Sequence, residues 1–165
     1  MTDHQTMQIL ESFYSLQGEG LHLGVPSVFL RLTGCNFKCA GFGMPEGQLS
    51  DEYRAIQPNL YDSLAVLPTP KTGCDSYATW DPRCSHLIQK KEVGEIAKSL
   101  LALTPESAWI SSLGQPVHLV ITGGEPLLGW QKSIPKLLSQ PQLVGLQYLT
   151  FGTNATPKLK PALIA

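Results

Sequence analysis

The sequence predicts an α/β protein, a parallel sheet with flanking helices, and two observations predict it. Short runs of bulky apolar residues alternate with segments of helical periodicity along the chain. The two most distinctive short motifs, Gly34–Cys39 and Thr122–Pro126, each follow directly on a predicted strand. Alternating strands and helices favour parallel pairing through crossovers, and in such folds ligands gather at the carboxyl ends of the strands. Both motifs are therefore expected to share one face of the sheet.

Met7–Ser15 mixes Ile9, Leu10, Phe13 and Tyr14 with polar residues, as an opening strand would, before Gly18, Gly20 and Gly24 break regular structure. Pro26–Thr33 reads as a second strand, ended by Gly34. From Gly41 to Gly73 the pattern fades: Pro45, Pro58, Pro68 and Pro70 interrupt it and no periodicity is sustained. That stretch is a long loop or small insertion, and a structureless loop of such length means function or disorder. Lys91–Leu103 is amphipathic, with Val93, Ile96, Ala97, Leu100 and Leu101 on one helical stripe. Val117–Ile121 is a strand running into Thr122-Gly123-Gly124-Glu125-Pro126; Trp130–Ser139 reads as a short helix despite Pro135, and Leu146–Phe151 as a last strand.

At 165 residues, 42% hydrophobic and 15% charged, the chain suits a single domain with a real core, and whole-chain disorder is excluded. A net charge of -1 rules out an electrostatic grip on nucleic acid or anionic lipid as the main activity. No apolar run reaches the length of a membrane span, and Met1–Thr6 lacks the basic start and apolar stretch of a signal peptide. The expectation is a cytoplasmic protein with no nucleic-acid or membrane partner.

In that compartment structural disulfides are disfavoured, so Cys35, Cys39, Cys74 and Cys84 point to metal or catalysis. Cys35 and Cys39, which enclose three residues in one loop, can converge on an inorganic centre. Small buried thiols are the alternative for such a pair. Arg31 stands within the apolar run Val28–Leu32: turned inward it needs a partner, turned outward it lies on the wet face of its strand.

Four blocks together resemble the 7-carboxy-7-deazaguanine synthase family of radical S-adenosylmethionine enzymes. They are Ser15-Leu16-Gln17-Gly18-Glu19-Gly20, Gly24-Val25-Pro26, Phe29–Cys39 and Thr122–Pro126. The resemblance implies a partial (β/α) barrel. It implies conversion of 6-carboxy-5,6,7,8-tetrahydropterin to 7-carboxy-7-deazaguanine with loss of ammonia, in queuosine or 7-deazapurine biosynthesis. The implied cofactors are a 4Fe-4S cluster, S-adenosylmethionine and Mg²⁺. The implied partners are the pterin substrate, an electron donor such as a flavodoxin or ferredoxin, and a second copy in a homodimer.

The family pattern Cys-x3-Cys-x2-Cys-Asp-Thr is broken here, because Phe42 stands where its third cysteine belongs. Gly73-Cys74-Asp75-Ser76-Tyr77-Ala78-Thr79-Trp80 resembles the missing end, Cys-Asp-Thr followed by Thr-Trp, which makes residues of about 40–72 an insertion between the second and third cluster cysteines. A cluster needs thiolates placed in space rather than adjacent in sequence, and loop-closure entropy grows slowly with length. The implied cluster ligands are Cys35, Cys39 and Cys74, with Cys84 a rival for the third.

By the same resemblance Gly73, Cys74, Asp75, Gly124 and Glu125 bind S-adenosylmethionine, Glu125 receiving its ammonium, and Ser76 binds Mg²⁺ where the family has threonine. Leu16, Gln17, Gly18 and Thr122 contact the substrate, and Arg31 clamps its carboxylate. Three departures stand out. Gly73 replaces an aromatic, Gly152 replaces a glutamate, and the last nine residues after Thr156 do not reach the family's later strands, so the domain reads as incomplete at its C-terminus. Competing readings are a radical activase, a zinc module built on all four cysteines, and an inactive remnant of the fold.

Overall fold

The computed structural model describes residues 5–37, 39 and 49–164. Phe42 and residues 40–48, the opening of the expected insertion, lie outside the described residues. One sheet contains β1 (Thr6–Leu16), β2 (Pro26–Leu32), β3 (Gln89–Glu92), β4 (His118–Gly123) and β5 (Leu149–Phe151), in the spatial order β3-β1-β2-β4-β5. The helices are α1 (Asp51–Ala55), α2 (Val93–Leu103), α3 (Ile134–Leu138) and α4 (Pro161–Ile164). Among the described residues no helix is long and apolar enough to cross a membrane.

β2, β4 and β5 are parallel, as the alternation of elements predicts, but β1 runs antiparallel to both β2 and β3. The cause lies in the connection. Residues 17–25 are too few for the crossover a parallel pair requires, so β1 folds back on β2 as a hairpin. The strand β3 was not legible as one, since Gln89-Lys90-Lys91-Glu92 carries no apolar residue. It pairs with β1 at the sheet's edge, where lysines discourage further pairing.

One face of the sheet is the main core. Val28, Leu30 and Leu32 of β2 and Leu119 and Ile121 of β4 are buried against Val93, Ile96, Ala97 and Leu100 of α2 and Ile134 and Leu137 of α3. The helical stripe therefore falls where its periodicity predicts, with Leu101 packed at the margin. Pro135 is tolerated because it sits in the first turn of α3, where a backbone N–H has no helical partner to lose.

β1 carries a bulge. Ile9 pairs with Leu32 and Glu11 with Arg31, so two steps along β1 match one along β2, and Leu10 is the extra residue. Pleat alternation alone would put Ile9 and Glu11 on the same face. The bulge instead leaves Ile9 in the main core, sends Leu10 into a second core, and pairs Glu11 with Arg31.

That second core joins Leu10 to Tyr53, Ile56, Tyr77, Ala78, Cys84 and Leu87. The described part of the excursion, residues 49–72, is thus folded rather than structureless. Ser50 caps α1 by accepting from the Tyr53 N–H at 3.1 Å, and its hydroxyl donates to the Thr72 carbonyl at 3.3 Å, closing the excursion on itself. Tyr53 donates to buried Asp81 at 2.5 Å, and Arg83 grips the same carboxylate at 2.7 Å while donating to the Ile56 carbonyl at 2.9 Å. Burial alone would raise the Asp81 carboxyl, but the bonds from Arg83 and Tyr53 outweigh it and hold it below its ordinary range.

This yields a signed prediction. A depressed carboxyl contributes stability above the unfolded value of about 3.9, and that contribution is lost as pH falls through the folded value. Urea midpoints of the wild type and Asp81→Asn are expected to differ most near neutral pH and to converge below about pH 4. A gap that stays constant to pH 2.5 contradicts the latch.

Candidate functional site

Beyond the carboxyl ends of β2, β4 and β5, loops distant in sequence are stitched together by their backbones. The Gly34 N–H donates to the Thr79 carbonyl at 2.7 Å, and the Glu125 N–H donates to the Gly34 carbonyl at 2.8 Å. The end of β4 presses on the end of β2 so closely that side chains are excluded. A Cβ on Gly123 would lie 2.1 Å from the Leu32 carbonyl oxygen, and one on Gly124 would lie 2.4 Å from that of Gly34 and 2.8 Å from Cys35 Cβ. The Gly-Gly pair is therefore demanded first by this contact between strand ends.

Glu125 is completely buried. Its carboxylate accepts from the Leu127 N–H at 2.9 Å, the Thr153 hydroxyl at 2.8 Å and the Asn154 N–H at 2.7 Å. It fastens the loop after β5 to the loop after β4, so the expected ammonium acceptor has its oxygens engaged within the chain. A second tie completes the ring. Asn36 donates to the Thr156 hydroxyl at 2.7 Å and accepts from Asn154 at 3.0 Å, joining the cysteine loop to the segment after β5.

Cys35 and Cys74 are half-buried and Cys39 is exposed, with a positive φ of 40° that turns the chain sharply at that residue. Burial pushes the Cys35 and Cys74 thiols up, and negative charge on neighbouring sulfurs adds to it: Cys74 acts on Cys35, and Cys39 acts on Cys74. The Gly34–Thr79 backbone bond is the contact that holds the segment after Cys74 against the cysteine loop. Among the described residues no three His, Cys, Asp or Glu side chains converge tightly enough to hold one metal ion. Thiolates that bind different irons of a cluster need not converge on a single point, whereas a mononuclear site requires it.

Cys84 stands apart. It is fully buried in the second core, and burial pushes its thiol up to about 11. That position removes it as a rival for the third ligand without rearrangement of the core. Gly73 precedes Cys74 at φ +92°, a conformation that an aromatic residue adopts only under strain, so the chain enters this cysteine by a turn specific to glycine. Ser76 donates to Asp75 at 3.1 Å, and both are accessible.

On the sheet face opposite the helices, Arg31 meets Thr122 in the β2–β4 register and bonds Glu11 of β1 at 2.9 Å. Phe13 and Phe29 stack beside them with centroids 5.0 Å apart. Arg31 therefore lies on the half-buried side with a partner. Leu16, Gln17 and Gly18 do not adjoin it. They lie at the far end of β1, roughly 17 Å from Glu11 at about 3.3 Å per residue, where the Gln17 N–H donates to the Val25 carbonyl at 2.9 Å. The stacked phenylalanines occupy the interval.

Sequence reasoning missed Glu11, Asn36, Asn154 and Trp80, whose indole N–H donates to Cys74 Sγ at 3.3 Å. Asn36 and Trp80 stand inside blocks that carry the resemblance, and Asn154 stands two residues after Gly152; Glu11 carried no signal. Gly152 also gains a reason: a Cβ there would lie 2.8 Å from the Thr122 hydroxyl, so the absence of a side chain lets β5 close on β4.

No family model matches the chain. The chain is 32% identical to the 7-carboxy-7-deazaguanine synthase of Pyrobaculum aerophilum over 126 residues, 76% of this chain and 36% of that one. It is 36% identical to the enzyme of the same name from Methanospirillum hungatei over 97 residues, 58% of this chain and 37% of that one. The chain thus matches little more than a third of the length of these relatives. The crystal structure of QueE from Escherichia coli aligns with 94% of this chain and 56% of its own, at 24% identity and a TM-score of 0.47.

Glu125→Gln is expected to destabilise the chain by about 1–3 kcal/mol, because an amide has one acceptor oxygen where two oxygens now face N–H and O–H donors. Chemical denaturation reads this directly, and a loss under 0.5 kcal/mol contradicts the fastening role. Gly124→Ala is expected to cost about 1–3 kcal/mol by forcing the β2 and β4 ends apart.

Proposed function

We propose that this chain, a relative of the 7-carboxy-7-deazaguanine synthases, carries the cluster-binding and substrate-facing parts of a radical S-adenosylmethionine enzyme. That enzyme converts 6-carboxy-5,6,7,8-tetrahydropterin to 7-carboxy-7-deazaguanine with loss of ammonia, in queuosine or 7-deazapurine biosynthesis. One observation carries the reading: after a 34-residue interval the block that opens with Cys74 returns to the cysteine loop, the Gly34 N–H donating to the Thr79 carbonyl at 2.7 Å and a Cβ on Gly124 lying 2.8 Å from both Cys35 Cβ and the Thr79 hydroxyl.

Cys35, Cys39 and Cys74 would hold the 4Fe-4S cluster as thiolates. Gly73, Cys74, Asp75 and Gly124 would line S-adenosylmethionine, with Glu125 holding the Gly123–Gly124 turn in place through its bonds to Thr153 and Asn154. When bound, the cluster and cofactor supply a one-electron route to hydrogen abstraction, which no side chain of the chain provides. Ser76 offers Mg²⁺ a hard oxygen beside the Asp75 carboxylate.

Glu11 engages one amino group of Arg31 and fixes the guanidinium's plane, leaving its remaining donors for the substrate carboxylate. Thr122 flanks that carboxylate, and the ring system lies on the Phe13–Phe29 stack, with Leu16, Gln17 and Gly18 beyond it at the far end of β1. A flavodoxin- or ferredoxin-like carrier supplies the electron, and the active form is a cytoplasmic homodimer.

Anaerobic reconstitution with iron and sulfide is expected to load about four irons per chain and give a visible charge-transfer band. Cys74→Ser is expected to lose that cluster while Cys84→Ser keeps it; the reverse pattern, or one zinc without sulfide, overturns the assignment. With the pterin as substrate, mass spectrometry reads the deazaguanine product. Arg31→Lys is expected to raise KM about 10–100-fold, the equivalent of one charged bidentate contact, with a smaller change in kcat.

A further inference from the structure

Trp80 is tied to Cys74 by a hydrogen bond whose direction is fixed. An indole nitrogen only donates, so the sulfur accepts at 3.3 Å whatever its protonation state. The contact is also braced. The Trp80 ring tilts against Tyr53, with centroids 5.8 Å apart, and its backbone N–H donates to the Tyr77 carbonyl at 3.1 Å. Tyr53 comes from α1 in the excursion and is itself locked by Asp81, the residue after Trp80, with the Arg83 guanidinium 5.0 Å from its ring centroid. Burial and Asp81 push the Tyr53 hydroxyl up to about 12, so it stays a donor at any physiological pH.

We propose that Trp80 is a positioning residue that sets the reduction potential of the centre held by Cys74, and that the described part of the excursion, residues 49–72 with Tyr53, serves as its brace. The inference rests on the cluster reading above and deepens it. A donated hydrogen bond draws electron density from a ligand sulfur. It therefore stabilises the reduced, more negative centre over the oxidised one and raises the potential. The half-buried setting of Cys74 limits the water that could replace the lost donor. Trp80 is not a ligand; it acts on the centre through the Cys74 sulfur.

The test compares the reconstituted chain with two variants, Trp80→Phe and a chain carrying benzothienylalanine at position 80. The second keeps the bicyclic shape and volume of the indole but has no N–H, so it separates the hydrogen bond from packing. Both are expected to load iron and sulfide as the wild type does and to show a more negative midpoint potential in spectroelectrochemical titration. In the reduced centre, ¹⁵N-indole labelling should give a weak nitrogen coupling by pulsed electron paramagnetic resonance in the wild type that both variants lose. Equal potentials in the wild type and the benzothienylalanine chain overturn this inference alone. A wild type that takes up no cluster overturns the site reading and this inference with it.

Discussion

The buried carboxylate of Glu125 is the constraint on which the arrangement beyond the strand ends depends. A charge removed from water is tolerated only when its oxygens are occupied, and here the donors come from two loops, the one after β4 and the one after β5. The Glu125 backbone N–H adds a third loop by donating to Gly34. Gly123 and Gly124 make these bonds feasible, since any side chain there would collide with the end of β2. The cysteine loop is therefore held from below by backbone contacts that owe nothing to a metal.

The protein reaches Cys74 by a different physical route. The chain leaves the cysteine loop, forms a capped turn of helix, and closes on itself through Ser50 and Thr72 before it returns. Its closure entropy is offset by a small core of its own, in which Tyr53, Tyr77 and Cys84 pack against Leu10. Leu10 belongs to that core only because of the bulge in β1. One extra residue in a strand thus serves both ends of the site: it supplies an anchor for the excursion and brings Glu11 to Arg31.

Two environments have been made for the cysteines. Cys84 is surrounded by aromatic and aliphatic groups that suppress its ionisation, whereas Cys35, Cys39 and Cys74 are partly or fully accessible, with the Phe37 N–H donating to Cys35 and the Trp80 indole to Cys74. The first is an inert packing thiol and the others are suited to soft-metal ligation. In the sequence that distinction rests on the resemblance of the block after Cys74; the burial of Cys84 gives it a physical ground.

What the sequence alone determined is local and periodic. The stripe Val93–Leu100 faces the core, the apolar run of β2 is a buried strand, and the two motif loops meet at the carboxyl ends of β2 and β4, because each follows from side-chain spacing or chain order. What only the tertiary structure decided depends on residues far apart in the chain. The polar strand β3 exists because β1 offers it an edge; Arg31 has a partner because a bulge re-aims Glu11; Glu125 is engaged internally because β5 brings Thr153 and Asn154 to it. The place of Leu16–Gly18 at the opposite end of the sheet belongs to the same class, since it follows from the hairpin's direction and not from the residues themselves. Pairing partners, unlike periodicity, are chosen by the assembled sheet, and a single chain read in order carries no record of that choice.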